Sequence, residues 1–424
     1  MKKITFLLLV GLMSLQFFTC TKDTGTALIT YQEATAIYGD LDAIRNQPLN
    51  TDTRAVINPG KIFVGTDFIL LGEEEQGIHV IDNADISNPN FINFINIPGN
   101  REFFVKDKYL YAESYYDLLK IDLSDLRNVQ LAGSVTNLFQ ETMISDNGEA
   151  LLGFSFKEVQ KEIDVQSNFY EDIMEDNIVY LDFAKNIIPK SAVPSSFAGN
   201  SNQQSGTVNR ITYSQEHIYV INLNNLAIVD DRNGSFEKIN ITSNLTLPDA
   251  METIFPYKEK LFVGSRSAMN IYDASDPQKP YDLYQFDHAT SCDPVLPVGE
   301  VAYITLRTGD FSNCPGHVNA LVVLNIENLN SPSVEAEIVM KSPYGMTLIG
   351  DMLFVGEGEN GLSIFDVTNR FQPELLKKVT EIKAYDVIAH PNTSGLVLIA
   401  GPDGLSQYTM NNELDFTINS QIDY

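Results

Sequence analysis

Basic residues are scarce in this chain. Its 424 residues include 28 Lys and Arg against 56 Asp and Glu, a formal net charge of −28. Phosphate backbones are bound by clustered Lys and Arg, so nucleic acid is excluded as a partner. The acidic residues are not gathered in a tail and read instead as the surface of a folded, acidic protein. Histidine is also rare, with five in all. No H-E-x-x-H, G-x-S-x-G, Walker loop or EF-hand loop occurs, so no standard metalloprotease, serine hydrolase, nucleotide or calcium motif is offered. No cofactor and no resident metal are expected. Beyond the first twenty residues no apolar run is long enough to cross a bilayer. Aromatic and β-branched residues, by contrast, are plentiful, which excludes a disordered chain, and the length allows a large core.

The N-terminal residues read as a targeting segment over 1–19. Lys2 and Lys3 form its basic end, Ile4 to Phe18 its apolar stretch, and Cys20 follows directly. That stretch is too short to span a membrane comfortably. A Cys in this place resembles the lipobox of bacterial lipoproteins, although Phe18 and Thr19 depart from the commoner small residues. The resemblance implies acylation of Cys20 and attachment to the cell envelope through lipid, at the outer membrane on its periplasmic or surface-exposed side. Residues 20–53 then form the lipid anchor and a polar lead-in, read as a spacer with a few ordered turns.

From residue 54 to 424 the chain is built of copies of one unit. Its clearest form is Gly361-Leu362-Ser363-Ile364-Phe365-Asp366, an apolar strand ending in Asp and entering a polar turn. The same signature ends at Asp82, Asp122, Asp182, Asp230, Asp273 and Asn325, with a degenerate last copy around Tyr408. The spacing is near 41 residues with two longer intervals, the period of a propeller blade of four strands. The first unit parses into Lys61–Val64, Phe68–Leu71, Ile78–Asp82 and Phe91–Ile95, separated by turn residues. The middle runs are apolar almost without interruption, which implies burial on both faces. The expected fold is all-β, a propeller of four-stranded antiparallel blades, eight by preference and seven as the alternative. The signature Asp reads as a turn former, because Asp and Asn side chains bond turn backbone and the following Ser/Asn-Pro pre-sets the turn.

These residues also carry a resemblance. An apolar run closed by Asp and followed by a Ser/Asn-Pro turn resembles the LVIVD repeat of bacterial surface proteins, in particular lipoproteins of Bacteroidetes-type bacteria. The resemblance covers residues from about 60 to the end. It implies a β-propeller and no defined activity, so it brings no catalytic residues.

In a blade whose strands run A to D outward from the axis, the D–A and B–C connections share one face. Both long insertions, 157–177 and 308–319, read as B–C loops of that face, and long loops on a rigid scaffold commonly build binding sites. Glu73, Glu74, Glu75, Glu113, Asp117, Glu357 and Glu359 make the other B–C loops acidic. Arg101, Glu102, Arg210, Asp249, Asp293 and Asp386 point the D–A connections toward the axial mouth. Arg101, Glu102, Arg210, Asp249, Asp293, Asp386, Glu357 and Glu359 are the candidate binding face. Cys292 and Cys314 fall on one face of one blade and are expected to form a disulfide, in preference to a zinc site with His288 and His317. Gly356-Glu357-Gly358-Glu359-Asn360-Gly361 has the spacing G-x-G-x-x-G, but a strand follows it and its glutamates repel phosphate, so it is no nucleotide loop.

The function expected is a non-enzymatic, envelope-anchored propeller that binds protein or glycan through its loop-rich acidic face. The alternatives are a hydrolase or lyase with a metal or acidic site at the axial mouth, and a structural surface component.

Overall fold

A strand that is apolar on both faces has to be covered twice, and stacking blades into a ring covers each one from either side. The computed structural model describes residues 25–139, 143–164, 178–180, 210–222, 225–248, 251–265, 268–287, 295–307 and 319–424. The chain divides into two compact units, one of residues 38–152 and 189–424, the other of residues 1–37 and 153–188.

The larger unit is the propeller. Its blades occupy residues 59–96, 103–135, 211–239, 251–287, 295–339, 346–379 and 386–422, here blades 1 to 7. In each, four consecutive strands pair antiparallel in sequence order, A to D. Blade 1 runs Pro59–Val64, Phe68–Glu73, Gly77–Asp82 and Asn90–Asn96, as parsed from the sequence. The A strands of blades 1 to 5 lie against one another in succession, as do those of blades 6 and 7, so the A strands line the axis.

Alternate residues of one strand serve different neighbours. Leu70 packs with Leu110 and Ala112 of blade 2, while Ile69 and Leu71 pack with Leu398 and Leu405 of blade 7. Seven such apolar clusters join the blades pairwise among the described residues, the last one linking blade 7 back to blade 1. Each fully buried Leu, Ile or Phe in them contributes about 1.5–3 kcal/mol relative to exposure, so the interfaces dominate the ring's stability. This is why the middle strands lack the apolar–polar alternation of a half-wet sheet.

The signature Asp is a turn former. The side chains of Asp82, Asp122, Asp230, Asp273 and Asp366 each accept the backbone N–H two residues on, at 2.7–3.2 Å, and Asn325 does the same for Glu327.

Eight sheets are described in all, the number the repeats lead one to expect. Seven are the meanders that close the ring, which is the alternative blade count. The eighth is three-stranded: Ala150–Asp164, Thr26–Gly39 and Ile178–Tyr180. Three readings are corrected here. Residues 178–180, taken as part of the third signature, pair parallel with Gln32–Ala34 and are not a blade's C strand. Residues 157–164 are the continuation of a long strand rather than a B–C loop. The lead-in, read as a spacer with a few ordered turns, holds regular elements: Thr26–Gly39 is a strand and Leu41–Arg45 a short helix capped by Asp40, and Asn50–Thr51 adds a fifth strand to the outer edge of blade 1. Arg45 clamps Asp117 of blade 2 through two bonds of 2.7 and 3.1 Å. In the smaller unit Tyr31 and Ile163 form the buried core with Ile29 and Val159 against them.

Candidate functional site

The D–A connections and B–C turns do meet on one face. The Gly358 N–H donates to the Ala384 carbonyl at 2.7 Å and the Ala384 N–H returns the bond at 3.1 Å, tying the blade 6 B–C turn to the connection entering blade 7. Likewise Glu75 N–H donates to the Asn100 carbonyl at 2.7 Å.

Over blades 7, 1, 2 and 3 charges alternate on this face. Asp386 opens the A strand of blade 7, Lys61 lies in that of blade 1, and Glu102 and Arg210 stand just before those of blades 2 and 3. The Lys61 ammonium is bonded to Glu102 Oε1, which also accepts the Phe103 N–H at 3.1 Å. Glu102 Oε2 accepts the Arg210 N–H at 3.2 Å, and the Arg210 guanidinium reaches Glu113 Oε2 at 2.7 Å. Glu102 and Glu113 are buried, whereas the Arg210 side chain keeps 26 % of its surface. Burial pushes the Glu113 carboxyl above the usual carboxylate range, with Arg210 and Arg101 pulling it back. Burial also disfavours the Arg210 charge, but Glu113 and Glu102 outweigh it and hold the guanidinium more firmly protonated.

Asp386 differs from the other carboxylates. It is 2 % exposed, and its Oδ2 has no hydrogen-bond partner among the described residues. Burial raises its pKa to about 7, against the lowering effect of the Val387 N–H and the Lys61 charge.

Several acidic residues read as a solvated binding face are structural. Glu357 is buried, and its carboxylate accepts the Lys341 N–H at 2.9 Å, the Ser363 hydroxyl at 2.5 Å and the Lys378 ammonium at 2.7 Å. Burial pushes its pKa up, but these three partners outweigh that and leave it lowered. Glu73 is likewise buried and hydrogen-bonded in blade 1, where it accepts the Ile57 and Asn58 N–H groups at 3.1 and 2.7 Å and stands 3.1 Å from His79 Nε2. Both stand nine residues before the signature Asp, a recurrence visible in the sequence. Each fastens the segment entering its blade. Arg101 and Glu359 stay at the rim, paired with Glu75 and Lys383, both at 2.5 Å. Cys20, Asp249, Asp293, Cys292 and Cys314 lie outside the described residues, as do residues 308–318 of the second insertion and 165–177 of the first. Among the described residues no cluster of three or more His, Cys, Asp or Glu is placed to hold a metal ion.

Sequence reasoning missed Lys61, Tyr344, Tyr385 and Arg307. The two tyrosines precede the A strands of blades 6 and 7 and meet edge to face, with centroids 5.0 Å apart and planes at 80°. Arg307 lies over Tyr344, 4.3 Å from the ring centroid.

Comparison with known proteins bears on the fold. Residues 345–381 match the LVIVD repeat. The LVIVD match falls on blade 6, around the strand Leu362–Asp366. No curated protein matches the chain. Among solved structures, it is similar to the β-propeller domain of Cps50 (Swd1) from Myceliophteria thermophila, at 10 % identity over 85 % of this chain and 99 % of that one, with a TM-score of 0.50. It is also similar to BamB from Moraxella catarrhalis, at 6 % identity over 82 % and 84 % of the two chains, with a TM-score of 0.46. The likeness to the Cps50 domain is one of fold alone, that of a β-propeller.

Proposed function

We propose that the protein is an envelope-anchored, non-enzymatic propeller that binds protein or glycan on the face bearing the D–A and B–C turns. The observation that carries this reading is the layering of the mouth. Glu102 and Glu113 are already held by Lys61 and Arg210 and form a rigid charged floor. On the same face the more exposed pairs Arg101–Glu75 and Lys383–Glu359 keep part of their surface for a partner. A fixed polar floor with adaptable polar groups at its rim is how a rigid scaffold presents a recognition surface. Anchoring rests on Cys20 behind its apolar stretch, and the membrane is reached through lipid alone. The site of action is then the outer membrane of the envelope.

The test uses the full chain purified in detergent. Captured proteins and glycans from envelope extract are compared between wild type and two rim variants, Glu75→Ala/Arg101→Ala and Glu359→Ala/Lys383→Ala. Loss of one captured component in either variant supports the reading, and identical capture by all three removes it. Incorporation of an alkynyl palmitate in cells, absent from Cys20→Ser, tests the anchor.

A second reading, a hydrolase or lyase at the mouth, is favoured by Asp386 alone. A buried carboxyl with its pKa near neutrality suits acid–base work. Turnover of any chromogenic glycoside or ester that disappears in Asp386→Asn would move the assignment there.

A further inference from the structure

We infer that the same face, over blades 5 to 7, carries a groove for a neutral oligosaccharide; this rests on the binding reading above and names its ligand class. Three observations converge. First, Tyr344 and Tyr385 are half-buried and stand together beside the mouth. Gly358 holds both in place: its φ is +56°, and a Cβ there would meet the Tyr344 and Tyr385 rings at 2.7 and 3.0 Å. Rings fixed this way lose little entropy when a flat apolar ligand face packs on them.

Second, polar groups flank the rings on both sides. Arg307 lies over Tyr344 on the blade 5 side, and the Glu359–Lys383 pair stands on the blade 7 side. Third, the strip continues past Lys383 into a cleft of about 180 Å³, lined among others by Asp403, Ser406, Tyr408 and Gln421. Its lining mixes carboxylate, hydroxyl and amide groups, the donors and acceptors that ring hydroxyls need.

A pyranose has an apolar face for an aromatic ring and an equatorial belt of hydroxyls for such polar groups, and a chain of them fits a strip better than a single sugar does. The charge selects a neutral one. Arg307 and Lys383 are already engaged, by Tyr344 and Glu359, while the chain as a whole carries −28, so an acidic polysaccharide is repelled.

The experiment is titration calorimetry of the full chain in detergent with cellohexaose, xylohexaose and mannohexaose, with hexagalacturonate as the acidic comparison. One neutral hexasaccharide is expected to bind, weakened about tenfold by Tyr344→Ala or Tyr385→Ala and less by Glu359→Gln. Hexagalacturonate is expected to bind more weakly than that neutral sugar. If a tyrosine variant fails to fold, Glu359→Gln and Lys383→Ala, both at exposed positions, decide the matter. The inference is overturned if no neutral hexasaccharide binds at millimolar concentration, if the acidic one binds best, or if the folded variants bind unchanged. A protein captured from extract through Glu75 and Arg101, with no hexasaccharide bound, overturns the groove and leaves the binding reading standing.

Discussion

The side-chain amides of Asn83 and Gln407, 324 residues apart, hydrogen-bond each other reciprocally inside the interface between blades 1 and 7. Asn83 Nδ2 donates to Gln407 Oε1 at 3.0 Å, and Gln407 Nε2 donates to Asn83 Oδ1 at 2.6 Å. Both side chains are fully buried. Every described blade is made of consecutive strands, so no strand is shared between the first and last blades. The ring is shut by side chains: this amide pair, the apolar cluster shared by the two blades, and His390 Nε2 against the Thr66 carbonyl at 3.0 Å.

Gln407→Leu is therefore expected to destabilise the ring by about 1–3 kcal/mol, because it leaves the buried Asn83 amide without its partner. The double variant Asn83→Leu/Gln407→Leu should cost less than the sum of the two singles. Urea unfolding of all four proteins checks the coupling, and strict additivity would show that the pair is not a latch.

Asp386 makes stability fall with rising pH. Its folded pKa, about 7, lies above the unfolded value, so the folded state retains a proton that the unfolded state releases. Between the unfolded value and pH 7 that difference weakens the fold progressively. Asp386→Asn is expected to match wild type near pH 4 and to exceed it at pH 8 by on the order of a few kcal/mol. Melting curves of both proteins across that range read the effect directly. Parallel curves would refute it.

Glu357 acts with the opposite sign. Its folded pKa is lowered, so its contribution is present above the unfolded value and is lost as pH falls through the folded one. Glu357→Gln is expected to cost about 1–3 kcal/mol at pH 7, through weaker bonds to Lys378, Ser363 and the Lys341 N–H. The deficit should shrink in acid. A deficit that is constant from pH 7 to pH 3 would contradict a role for the charge.

The rim pairs should matter for capture and hardly at all for folding. Exposed ion pairs contribute little, so Glu75→Ala/Arg101→Ala and Glu359→Ala/Lys383→Ala are each expected to stay within about 1 kcal/mol of wild-type stability. Denaturation midpoints check this, and a large loss in either variant would make its binding defect uninterpretable.

The blades were legible because their signal is local. The strand Leu362–Asp366 and its turn, the four runs of blade 1 and the turn-forming Asp82, Asp122, Asp230, Asp273 and Asp366 can all be read without knowing what packs on them, while Asp182 lies outside the described residues. The third signature misled because Ile178–Tyr180 has a strand's composition, and composition does not choose a partner; the pairing with Gln32–Ala34 does. The acidic B–C turns misled for a related reason. Glu73 and Glu357 look like surface carboxylates, yet each is buried by the segment entering its own blade.

The sequence by itself determined that this is a repeating all-β chain of four-stranded units, buried on both faces and acidic outside, since strand, turn and period are set by residues close together in the chain. Only the tertiary structure decided which carboxylates are bound inside, how blade 7 meets blade 1, and that Tyr344 and Tyr385 stand together at the mouth. Those outcomes depend on side chains brought together from distant positions, and a hydrogen bond or a buried charge has no sequence signature until its partner arrives.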